Sequence, residues 1–184
     1  MVFDSYPWKQ DLLRRKRLIT KYNTVEHFSK NDEATYTVIE KGIFYSAFII
    51  RKLIDCVSKM SDEAVNYTLK VWELKPLRNI DLMHRWPEEN SYDWENERII
   101  TVHGKNVCNW LIHSYVFFLI HGEDGRVEGF SVSSDFDRNK SLYRISLEDW
   151  LKYMDYIATD SIAAMETHFS EEKKEYVITR KERG

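Results

Sequence analysis

Apolar positions recur every three or four residues over the first third of the chain, and in alternating or continuous short runs after it. Between Pro7 and Tyr22 the residues Trp8, Leu12, Ile19 and Tyr22 keep helical spacing, with Ser5 placed as a cap and Pro7 at an early helical position. This predicts a first helix. Asn31 and Asp32 are suited to cap a second one, in which Tyr36, Ile39, Ile43, Ala47, Ile50, Ile54 and Val57 hold the 3–4 spacing. Phe44 and Phe48 widen its apolar face, so the helix is expected to be buried on more than one side. Gly42 inside it costs about 1 kcal/mol relative to Ala, which points to a close crossing by another element there.

The period then shortens. Thr68 to Leu74 reads as a strand ended by Pro76, and Leu77 to Trp86 as a short helix or irregular segment. Glu88 to Glu97 has the composition of an exposed loop, with Tyr92 and Trp94 set among acids. Lys105 to His113 supports a short helix, with a long strand through the same residues as the alternative. Ser114 to Ile120 is apolar at nearly every position, which predicts a strand covered on both faces and central in its sheet. Gly122 to Gly125 signals a turn into a returning strand, Arg126 to Ser133, and Leu142 to Ile145 reads as a further strand. Ser146 with Asp149 resembles a capping box ahead of Leu147, Trp150, Leu151, Met154, Ile157 and Ala158, an amphipathic helix. Ser161 to His168 is expected as a short helix and Tyr176 to Thr179 as an edge strand before a frayed, charged end.

The order of elements is that of an α+β fold: N-terminal helices packed on a mainly antiparallel sheet of about four strands, followed by an amphipathic C-terminal helix. The expected organisation is one domain over residues 1–184, with a helical part at 1–60, a sheet-rich part at 65–145, a helical part at 146–168 and a charged tail at 169–184. At 184 residues and 43% hydrophobic content the chain can bury roughly 70% of the surface its unfolded form exposes, enough for one core without staples. A net charge of −3 argues against a dedicated duplex-DNA binder, which would carry a strong basic excess. No run of about 18 apolar residues occurs, and Asp4, Lys9 and Asp11 interrupt the start, so a cytoplasmic protein that does not engage membranes is expected. Cys56 and Cys108 are read as reduced core thiols, because neither CxxC spacing nor a secretory context accompanies them.

Signatures for dinucleotide, P-loop, zincin, EF-hand and serine-hydrolase chemistry are missing, and no cofactor or metal is expected. Four weaker constellations remain. His103, Asn109, His113 and Ser114 fall within twelve residues; if Asn109 and His113 share a helix face, the amide can fix the ring's tautomer as a general base requires. A metal site from His103, Cys108, His113 and His121 lacks zinc spacing. Arg98 and His103, with four residues between them and a long apolar helix earlier, resemble the R-x4-6-H signature of HEPN-type ribonucleases. That resemblance implies an α-helical protein in which arginine and histidine act on an RNA phosphodiester, usually across a dimer. The chain departs from it at Ile99, where the family carries a polar residue, and in the β-branched run Ile99 to Val102. Glu73-Leu74-Lys75 at a strand end resembles the E-x-K part of PD-(D/E)xK nucleases, which implies a Mg²⁺-binding carboxylate pair, although no aspartate ends a preceding strand.

The fourth constellation is Arg14-Arg15-Lys16-Arg17, a basic turn with Trp8 and Tyr22 nearby, suited to phosphate contact and base stacking. Together these features predict an interaction module rather than an enzyme. Its binding residues are Arg14, Arg15, Lys16 and Arg17 on the basic helix and Tyr92 and Trp94 in the acidic loop, and its partner is another protein or a second copy of itself. Nucleic acid bound through Arg14 to Arg17 is the alternative partner. The alternative activity is a metal-independent, RNA-directed reaction with His113 or His103 as acid/base, oriented by Asn109, and Arg98 on phosphate.

Overall fold

In the computed structural model, which describes residues 2–184, the chain runs through α1 (Tyr6–Tyr22), α2 (Val25–Lys30), α3 (Asp32–Ile54), α4 (Asp62–Val65), β1 (Thr68–Leu74), β2 (Arg98–His103), α5 (Gly104–Ile112), β3 (Ser114–His121), β4 (Val127–Ser134), β5 (Leu142–Ser146), α6 (Leu147–Ala158), β6 (Ile162–Ser170) and β7 (Glu175–Arg183). The caps expected from sequence operate at α3 and α6. Asn31 Oδ1 accepts from Ala34 N–H, and Ser146 Oγ accepts from Asp149 N–H. Five strands form one antiparallel sheet in the order β2-β1-β5-β4-β3, and β6 and β7 form a separate two-stranded hairpin.

Strand periodicity sorts the sheet's side chains onto two faces. Leu69, Val71, Leu119, Phe130, Val132 and Ile145 point to the face covered by α1, α3, α5 and α6, where they meet Leu12, Ile43, Ile50, Leu111, Trp150 and Met154 in the main core. Leu74, Val116 and Leu142 point to the other face and form a smaller core with Ile80 and Tyr92 from the 75–97 connection. Gly42 marks the α1–α3 crossing: a Cβ there would lie 2.6 Å from Ile19 Cγ1, so only glycine lets the helices approach this closely. Two polar ties sit inside this packing. Trp150 Nε1 donates to Ser46 Oγ at 3.0 Å, and the Asn23 amide both donates to Val127 O at 2.8 Å and accepts from Val127 N–H at 2.7 Å.

The structure corrects three expectations. The sheet has five strands, because Arg98–His103 pairs with β1 along its whole length. β3 is an edge strand and not a central one; its continuous apolar run arises because Phe117 and Leu119 face the helices while Val116 and Phe118 face the second core. No helix ends the chain. The amphipathic helix after the sheet stops at Ala158, and the segments expected as a helical end and a charged tail are instead the two strands of one hairpin. Ala, Met and Glu in Ile162–Ser170 favour a helix locally, but pairing with the β-branched stretch Val177–Thr179 outweighs that preference.

Candidate functional site

The histidines around α5 do not converge. His103 precedes the first turn of the helix and His113 follows its last, about 15 Å apart at 1.5 Å per residue, and both are exposed. Asn109 does not orient His113; its Oδ1 accepts from Arg51 Nε at 2.7 Å and fastens α3 to α5. Arg98 and His103, five apart on β2, point to opposite faces of the sheet. His121 lies at the far end of β3, and among the described residues no three His, Cys, Asp or Glu side chains group as metal ligands would.

Arg98 turns instead to Glu73, on the neighbouring strand. Glu73 Oε2 accepts from Arg98 Nη2 at 2.6 Å, while Oε1 accepts from Ser141 Oγ at 2.6 Å and Lys75 Nζ at 2.9 Å. Burial works against ionisation of this carboxyl, but the hydrogen bonds from Ser141, Lys75 and Arg98 outweigh it and hold the pKa down at about 2. A carboxylate so depressed and with both oxygens occupied is a poor proton acceptor at neutral pH. It ties β1 to β2 and to the 135–141 loop.

The basic turn of α1 is divided between internal and external roles. Arg15 lies 3.6 Å from Asp11 and stacks over Tyr45, and Lys16 is paired with Asp155 of α6. Arg14 and Arg17 are exposed, and among the described residues no carboxylate lies within ion-pair distance of either. The acidic loop is likewise partly internal. Tyr92 is buried in the second core and is not a surface residue; Trp94 packs edge-on against it at 5.6 Å, donates Nε1–H to Glu89 O and remains 41% exposed. Glu88 pairs with Arg78 and Glu97 with Arg144, so neither serves the basic helix.

The feature that sequence reasoning missed is the β6–β7 hairpin. Its base is fastened by a buried cluster around Asp160, whose carboxylate accepts from Ser61 N–H at 2.9 Å and Ser61 Oγ at 2.6 Å and lies 3.7 Å from Arg183 Nε. Lys9 Nζ donates to the Asp160 carbonyl; burial lowers the Lys9 pKa, Asp160 opposes that, and Arg183 adds to it. Asp62 accepts from Lys181 N–H at 2.9 Å, and the Arg183 guanidinium lies over Tyr156. Beyond this base the strands leave the body. Every residue from Ala163 to Phe169 is exposed. Met165, Thr167 and Phe169 share one face with Ile178 and Tyr176, and Met165, Phe169 and Tyr176 are 41%, 44% and 76% exposed. The signal available in the sequence was the β-branched Val177–Thr179 run eight residues after Phe169, with the polar Glu171–Lys174 between as a turn.

Comparisons with known proteins return no match, whether to a protein-family model, a curated protein or a solved structure. Among the described residues no helix is long and apolar enough to cross a membrane.

Proposed function

We propose that this protein is an interaction module that binds another polypeptide through the β6–β7 hairpin. The observation that carries the reading is an exposed apolar face on a hairpin fastened only at its base. An isolated two-stranded hairpin is marginally stable in water, and its face of exposed Met165, Phe169 and Tyr176 with half-buried Ile178 gains most by being covered. The separated positions of Arg98, His103 and His113 and the saturated Glu73 carboxylate support a binding role over phosphodiester chemistry. Exposed Arg14 and Arg17 on α1 offer a second contact of opposite character, suited to a polyanion.

Purification from the native host, comparing wild type with a Phe169→Ser/Tyr176→Ser variant, tests this. Loss of the stoichiometric partner in the variant, read as a co-purifying polypeptide or as a fall in the protein's own native mass, at unchanged melting temperature, is the expected result. Retention of the same polypeptide by the hairpin variant and its release by Arg14→Glu/Arg17→Glu would transfer the function to α1. Nucleic acid released by those reversals, with an A260 signature and steep salt dependence, would do the same in favour of an RNA or DNA partner.

A further inference from the structure

We propose that the partner is a second copy of this chain, added edge to edge along β6 to make one four-stranded intermolecular sheet. This rests on the reading above and names its occupant. Of the hairpin's two outer edges, the one on β7 is met at Lys181 by Asp62, which accepts from its main-chain N–H and also lies 3.4 Å from its Nζ. The outer edge of β6 carries no such contact, and its residues Ala163 to Phe169 are all exposed.

Natural edge strands are normally guarded by lysines, prolines or short length, since free N–H and C=O groups recruit another strand. β6 is nine residues long and contains no Lys, Arg or Pro, and of the hairpin's two bulges, which also guard edges, one falls at Ile162/Ala164, outside the Ala164 to Ser170 pairing, and the other skips Thr179 on β7. Its sequence is also self-complementary. A two-fold axis perpendicular to an antiparallel pair keeps each side-chain face on its own side, so residues of like parity must oppose one another. Centred on Thr167, the pairing sets Thr167 against itself and Met165 against Phe169 of the second copy on the apolar face. On the other face Glu166 meets His168 of the second copy, and Ala164 meets Ser170 of the second copy.

The neighbouring registers are worse. Centring on Glu166 places two carboxylates directly opposite, and centring on His168 sets Phe169 against Thr167 and leaves Met165 without its aromatic partner. Thr167-centred pairing also lays Met165 of each copy against Phe169 of the other, so the β6 half of each apolar face is covered in part by its counterpart. The contact is small by the standard of permanent dimers, so association in the micromolar range is expected.

Sedimentation of the full chain from about 1 to 200 μM should show a reversible monomer–dimer equilibrium. Thr167→Lys puts two like charges face to face and should weaken it roughly tenfold without changing the melting temperature. In a Cys56→Ser background, Thr167→Cys should be joined across the dimer by a short bis-maleimide, which alkylates one thiol from each copy, because directly opposed Cβ atoms lie about 4.5–5.5 Å apart. Met165→Cys should not, since its counterpart sits four residues along the strand, about 13 Å away. A wild-type monomer throughout this range overturns the self-pairing, as does a dimer indifferent to Thr167→Lys and uncrosslinked at position 167. If a monomer still loses a different polypeptide on Phe169→Ser/Tyr176→Ser, the hairpin reading survives the loss of self-pairing; if that substitution changes neither the native mass nor anything bound, both fall.

Discussion

Replacing Glu73 by glutamine removes the one buried charge that holds two strands and a loop together. The glutamate's pKa falls from an ordinary 4.5 to about 2 in the folded protein, a gap worth about 3 kcal/mol at 1.36 kcal/mol per pH unit. The carboxylate side chain is 8% exposed, but its cations Lys75 and Arg98 are 59% and 70% exposed, so screening trims the expected loss to about 2–3 kcal/mol at pH 7. Ser141 can still donate to the amide oxygen. A depressed carboxyl stabilises the fold above its unfolded pKa and loses that contribution as pH falls through the folded one. The window here is therefore about pH 4.5 down to 2. Urea unfolding of wild type and Glu73→Gln at several pH values should show the gap fall below half its neutral value by about pH 3. A gap that is constant from pH 7 to pH 3, or smaller than about 0.5 kcal/mol at pH 7, would refute the account of Glu73 as an ionic tie.

Gly42→Ala should destabilise by about 1–2 kcal/mol although alanine is the better helix former by about 1 kcal/mol, because the new methyl meets the buried Ile19 at 2.6 Å; a higher melting temperature would show that the helices can separate at no cost. Cys108 is fully buried and burial drives its thiol pKa far above the ordinary value, with Arg51 opposing only in part, so a thiol reagent should label Cys56 alone until the protein is unfolded. Two rapidly reacting thiols in the native protein would contradict the packing around α5.

The sheet face opposite the helices shows why candidate binding residues could be misread. Tyr92 sits among Glu88, Glu89, Asp93 and Glu95, a neighbourhood that locally means solvent. Its ring is nevertheless buried, because the isolated bridge between Pro76 and Tyr92 brings the 75–97 connection back over Leu74 and Leu142. The basic turn of α1 poses the same difficulty. Four consecutive cations point in different directions round the helix: Arg15 finds Asp11 one turn back, Lys16 finds its carboxylate only on α6, more than a hundred residues further along, and Arg14 and Arg17 face solvent.

What the chain determined locally are the elements whose signals are short in range: the caps at Asn31 and Ser146, the helical face from Ile39 to Ile54, the strand from Thr68 to Leu74 and the turn at Gly125. These depend on side-chain geometry and backbone preference over a few residues. Tertiary structure alone decided that β3 lies at an edge, that Arg98 serves Glu73 and not a histidine, and that Ile162–Ser170 is a strand. Each of those outcomes is set by a partner segment distant or differently phased in sequence, and strand pairing has no periodicity that one segment can carry by itself.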